Sequence, residues 1–182
     1  MNIELIKGYW QNCNEILYTY LPENINQARI GQETFMFLVS CGFPLSVAPG
    51  IDFPQIAMGS LLSPDKIFQI TDESLERYLM LGNNGCGDPV CIDTNENDEI
   101  IFLNHDNDFQ RFFINSNIEK FAQCLIIYRE FIREVNKEDA TNWIERRFQN
   151  SQIVQLRNDL KNIDNKCLAD NTMWTFEIDS LL

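Results

Sequence analysis

His105-Asp106-Asn107-Asp108 brings the only histidine of the chain together with two carboxylates. An imidazole in that setting can serve as a general base or a metal ligand. A nucleophile–base–orienter set needs more members, and no Ser or Cys is tied to His105 by a recognisable motif. The stretch therefore reads as a solvated loop. A small metal-dependent hydrolase built on His105, Asp106 and Asp108 is the enzyme alternative.

Asp93-x-Asn95-x-Asn97 offers oxygen ligands at alternate positions, as a hard cation requires. Asp98 stands where such a loop needs glycine, and Asn104 where it needs a bidentate Glu, so a polar hairpin turn is expected and no metal. Gly82-Asn83-Asn84-Gly85-Cys86-Gly87-Asp88 is rich in glycine, but it lacks the Lys-Ser/Thr of a phosphate loop and ends in a repelling carboxylate. Its glycines suit a turn with φ > 0. The six cysteines, at 13, 41, 86, 91, 124 and 167, show no paired metal-ligand spacing. Cys41, Cys91 and Cys124 lie among apolar neighbours, as reduced buried thiols do. With no cofactor fingerprint either, no catalytic, metal or cofactor site is expected, and binding is favoured over catalysis.

The elements that hold these residues follow from hydropathy and chain punctuation. Apolar residues from Leu5 to Tyr20 recur near a 3.6 period and predict a helix over 3–20, closed by Pro22. Glu33–Cys41 reads as a second helix, ended by Gly42 and Pro44. From residue 51, short apolar runs between turn residues predict an antiparallel sheet with strands at 51–56, 66–71, 78–82, 89–93, 99–104 and 109–115. The polar loop Thr94–Asp98 joins the fourth and fifth as a direct hairpin. Ser116 or Asn117 caps a helix whose stripe runs Ile118, Phe121, Ala122, Leu125, Tyr128 and Ile132. Further helices are expected at 139–148, 153–163 and 172–181, anchored by Trp143, Phe148 and Trp174. The fold class is α+β: an antiparallel sheet of five or six strands, helices packed against it, and a helical C-terminal tail.

The 182 residues fit one domain, 1–182, in which 138–182 is a helical extension. Fourteen basic against 27 acidic side chains give a net charge of −13, and the isoelectric point is near 4.4. Such a surface repels phosphate backbones and attracts basic partners, so nucleic acid is excluded as a direct ligand. Residues 81–115 hold one basic and seven acidic residues, nearly half of the net charge. The longest uncharged run, Thr34–Ile51, contains Gly42, Pro44, Pro49 and Gly50, so no membrane span is expected. Met1–Lys7 has neither the basic nor the apolar part of a secretory leader, which predicts a cytoplasmic protein.

Several motifs stand in an order that resembles a known group. Gly42-Phe43-Pro44, the strand to Leu81-Gly82, the turn Gly85-Cys86-Gly87-Asp88-Pro89-Val90-Cys91-Ile92-Asp93 and the hairpin to Ile101-Phe102-Leu103 come first. Phe113-Ile114-Asn115-Ser116 and the helix segment Phe121-Ala122-Gln123-Cys124-Leu125 with Tyr128 follow. Together they resemble the SUKH superfamily of mostly bacterial toxin-immunity proteins, closest to its fourth branch, over roughly 30–135. The resemblance implies helices covering one side of an antiparallel sheet. It also implies a non-catalytic protein that binds and neutralises a cognate polymorphic toxin, often a nuclease or nucleic-acid deaminase. No binding residue follows from it, since fold analogy does not locate a site.

A toxin that acts on nucleic acid is basic around its cleft, and an acidic protein can occupy that cleft with complementary charge. The acidic loops supply Asp93, Glu96, Asp98 and Glu99 on the hairpin and Asp106 and Asp108 on the next turn. These six are expected to form part of the partner-binding edge, with aromatic side chains at its centre. A non-catalytic regulatory or scaffolding module is the second reading, and the hydrolase the third.

Overall fold

The computed structural model describes residues 3–26, 29–53 and 60–182. Four long strands, β5 (Tyr78–Asn83), β6 (Pro89–Asp93), β7 (Glu99–Asn104) and β8 (Gln110–Asn115), form an antiparallel meander. Two short strands, β3 (Ser46–Val47) and β4 (Ile51–Asp52), extend it to the six-stranded order β3-β4-β5-β6-β7-β8. The central strands are uninterrupted apolar runs because the sheet is buried on both faces. Leu79, Leu81, Val90, Ile92, Ile100 and Phe102 belong to the main core, while Tyr78, Met80, Cys91, Ile101 and Leu103 form a smaller cluster closed by Leu75 and Phe109.

The main core is completed by α4 (Ile118–Val135), packed on β7 and β8, with α1 (Ile3–Asn12), α2 (Gln32–Ser40) and α5 (Asn150–Ile163) packed on α4. The stripe of α4 is buried as its period requires, at Ile118, Phe121, Ala122, Leu125 and Tyr128. Asn117 caps the helix, its side chain accepting from Lys120 N at 2.9 Å. The last helix, α6 (Met173–Asp179), packs on β8 and places Trp174 fully inside.

Two glycines are dictated by close approach. Gly42, at φ 66, ends α2, and a Cβ there would lie 2.0 Å from Tyr18 O. That contact lets β1 (Leu17–Tyr18) pair with β2 (Phe43–Pro44) in a separate two-stranded sheet. At Gly82, beside a register shift of β5, a Cβ would meet Asp52 O at 2.2 Å.

The expected sheet, helices and helical tail are present, but several elements differ. The helix foreseen over 3–20 stops at Asn12, where Asn14 turns the chain at φ 58, a conformation asparagine tolerates, and β1 follows. The strand expected at 66–71 is a short helix, α3 (Pro64–Phe68): Pro64 stands in the first turn, where its fixed φ suits a helix start. Of the strand expected at 51–56, Ile51–Asp52 is observed and 54–56 lie outside the described residues. Residues 139–148 form turns instead of a helix, because side chains capture backbone groups there. Asp139 accepts from Thr141 N at 2.9 Å and Asn136 from Trp143 N at 2.8 Å. Trp143 and Phe148 still pack as anchors, against Phe131.

Candidate functional site

In a meander, successive turns alternate between the two ends of the sheet. The β6–β7 turn lies at one end, the β5–β6 and β7–β8 turns at the other, separated by the length of β7, about 17 Å. The six carboxylates proposed from sequence are therefore split between two poles and do not make one edge.

At the first pole most of the charge is used internally. Asp93 is fully buried at the end of β6. Arg77 Nε donates to its Oδ1 at 2.9 Å, and Arg111 Nε to its Oδ2 at 2.9 Å. Burial alone would raise the carboxyl pKa, but the arginine hydrogen bonds prevail and hold it below the ordinary range. Arg111 Nη2 also donates to Glu99 Oε2 at 2.6 Å, and Lys166 reaches the same carboxylate at 3.5 Å. Asp98 Oδ2 accepts from Gly31 N at 2.7 Å, so the hairpin supplies α2 with the terminal acceptor that Gly31 lacks. Only Glu96 of this group is exposed. Asp93, the first position of the cation-loop pattern, is thus occupied by guanidinium groups.

At the second pole the glycine-rich turn is tied to the lone histidine. Asn84 Oδ1 accepts from Cys86 N and Asp88 N, and Asp88 Oδ1 accepts from His105 N at 3.0 Å and lies 2.7 Å from His105 Nδ1. Burial pushes the Asp88 carboxyl up, and the bonds from Asn84 and His105 outweigh it, leaving its pKa lowered. His105 Nε2 approaches Asp106 at 3.4 Å. The imidazole is a strut between two turns, and among the described residues no group of three His, Cys, Asp or Glu side chains is placed to hold a metal ion. Asp106 and Asp108 are exposed.

The same pole bears a feature that sequence reasoning assigned to a strand. Phe68, at the end of α3, is 43% exposed and stacks on Phe109 with ring centroids 6.4 Å apart. Asp108 and Phe109 have φ of 47 and 54, in the left-handed region that costs a non-glycine residue about 1–3 kcal/mol. No local signal marks this pair, since the two rings lie far apart in sequence and meet only when α3 folds over the sheet.

The Asn115-Ser116 step also gains a physical account. Buried Asp164, just past α5, accepts from Ser116 N at 2.7 Å, Ser116 Oγ at 2.8 Å and Asn115 Nδ2 at 3.2 Å, with Lys120 Nζ at 3.4 Å. Trp174 Nε1 donates to Asn115 Oδ1 at 2.9 Å. The tail is thereby locked to the start of α4, and Ser116, the other candidate cap, serves this junction.

The fold defines an α+β protein whose recognisable motifs join elements to one another, leaving Glu96 exposed at one pole and Asp106 and Asp108 at the other. A family model described as SUKH-4 immunity protein matches residues 14–176, most of the chain. The chain belongs to that family, whose members are generally non-catalytic and whose role implies a cognate toxin as partner. No curated protein and no solved structure gives a significant match. Among the described residues no helix is long and apolar enough to cross a membrane.

Proposed function

We propose that this protein neutralises its cognate toxin by direct contact, acting in the cytoplasm as a single folded unit with no catalytic step of its own. Family membership over residues 14–176 is the observation that carries the immunity reading. The mode of contact is argued from charge. Of the seven acidic side chains between residues 81 and 115, Asp88, Asp93, Asp98 and Glu99 are engaged inside the protein, while Glu96, Asp106 and Asp108 face solvent. Arg111, the one basic residue of that segment, is consumed by Asp93 and Glu99. The exposed carboxylates thus project negative potential toward an approaching basic surface, which speeds encounter and selects the partner. A toxin that cuts or deaminates nucleic acid has a cleft of that sign.

Co-purification with the toxic domain encoded beside it tests the reading. A stoichiometric complex that abolishes toxicity is expected, with association slowing as salt rises. Failure of the purified pair to associate while the toxin remains active overturns neutralisation by contact.

A further inference from the structure

Charge alone seldom supplies the affinity of an interface; buried apolar anchors ringed by polar groups do. The second pole has such an arrangement. Ile67, Phe68 and Ile70 are 38%, 43% and 36% exposed within four residues of chain, a concentration that differs from the scattered apolar residues of an ordinary surface. Phe109 lies against Phe68 and continues directly from Asp106 and Asp108, so the apolar group and the two carboxylates share one corner of the molecule. Phe109 is also the plug of the smaller core cluster, which gives the surface a rigid base.

We propose that Ile67, Phe68, Ile70 and Phe109, rimmed by Asp106 and Asp108, form the docking surface for the toxin, whose matching face has an apolar centre surrounded by lysine and arginine. This rests on the toxin-binding reading above and locates its contact. Charge complementarity selects the occupant. Asp106 is answered only by His105 at 3.4 Å, and Asp108 has no ion pair among the described residues. The groove between α4 and α5 is acidic too, but its Glu130 and Glu134 are already paired with Arg133 and Lys137. A second copy of this chain would set Asp106 and Asp108 against like charges, which disfavours self-association through this corner. Glu96, at the far pole, lies outside the contact.

The test measures binding of the neighbouring-gene toxic domain to the full chain by titration calorimetry and stopped-flow mixing. Phe68→Ser with Ile70→Ser is expected to weaken Kd about 30-fold or more, mainly through faster dissociation. Asp106→Lys with Asp108→Lys is expected to slow association about tenfold at low salt. Glu96→Lys leaves both rates within twofold. The thermal midpoint of each variant, compared with the parent protein, shows whether folding is intact; if the serine pair lowers it, Phe68→Gln alone is measured instead. Should the parent protein bind while the Phe68 variants bind equally well, the docking surface lies elsewhere and the toxin-binding reading stands. Absence of binding by the parent protein refutes both. A free protein that is dimeric and becomes monomeric on Phe68 substitution identifies a second copy as the occupant and overturns the proposal.

Discussion

Removing the Asp164 carboxylate should release the C-terminal tail from the sheet. In Asp164→Ala, half-buried Ser116 N and its hydroxyl lose their acceptor, and buried Asn115 Nδ2 keeps only Cys124 Sγ at 3.4 Å. A buried donor left unsatisfied costs about 1–3 kcal/mol; with Ser116 N half-buried and Asn115 Nδ2 retaining the Cys124 sulfur, both fall in the lower half of that range and together give a loss of about 3 kcal/mol. The hydroxyl can rotate toward water, and Lys120 is 35% exposed, so neither adds much. For a chain of this size about 1 kcal/mol corresponds to about 3 °C, which predicts a fall in Tm of about 9 °C. Asp164→Asn, which retains the shape and one acceptor oxygen, should fall about half as far. Thermal unfolding followed by circular dichroism, with tryptophan emission reporting on Trp174, measures both. Asp106→Asn, at an exposed carboxylate, is the control and should stay within about 1 °C of the parent. A loss below about 3 °C for Asp164→Ala would refute the reasoning, because it would mean that the donors find water or that the tail contributes little to the cooperative unit.

Acid should destabilise the protein through the same carboxylates. Asp88, Asp93 and Asp164 all have folded pKa values below the ordinary one, burial being outweighed by hydrogen bonds in each. Their contribution is fully present above the unfolded value, about 3.9, and is lost as pH falls through the folded values. Denaturant midpoints taken between pH 7 and pH 2 should therefore drop most steeply below about 4, and Asp93→Asn should be less stable at pH 7 with a shallower acid limb. An unchanged limb in that variant would remove Asp93 from the account. Thiol reagents give an independent check on the core: Cys41, Cys91, Cys124 and Cys167 are buried, whereas Cys86 is exposed. Burial pushes Cys41 up to about 12 and Cys91 well above the usual thiol value, so both resist modification. Native protein should label rapidly at Cys86, slowly at half-buried Cys13, and at all six only after denaturation; rapid labelling of Cys91 would contradict the two-sided burial of the sheet.

The strands that were most legible in the sequence are those whose apolar runs end abruptly in turn residues. Pro89–Asp93 and Glu99–Asn104 begin and end where the pattern places them, with Thr94–Asp98 as the connecting turn. Strands of two residues, such as β1 and β3, have no period to detect, and β1 exists only through pairing with the distant β2. Ile67, Phe68 and Ile70 read as a strand because apolar side chains in a short run give no helical phase, and Pro64 decides otherwise. The carboxylates show the same limit at the level of sites. Asp93, Glu96 and Asp98 are of one chemical type within six residues, yet Asp93 is claimed by Arg77 and Arg111, and Asp98 by the backbone of Gly31, 67 residues away. Sequence placed the acidic charge on turns of the sheet, and tertiary pairing decided which of it remains available to a partner.

The β7–β8 turn combines an anchored base with an independent tip. His105 is fastened to Asp88, while the hydrogen bonds of residues 106–108 run within the hairpin, from Asp106 N to Asn104 Oδ1, Asn107 N to Asn104 O and Gln110 N to Asn107 O. New side chains at Asp106 and Asn107 therefore need no compensating change in the core, whereas Asp108, at φ 47, favours residues that tolerate the left-handed region. If the toxin docks at this corner as proposed, a lineage facing an altered toxin can change specificity at this tip while inheriting the scaffold, and exchange of the tip between relatives transplants recognition.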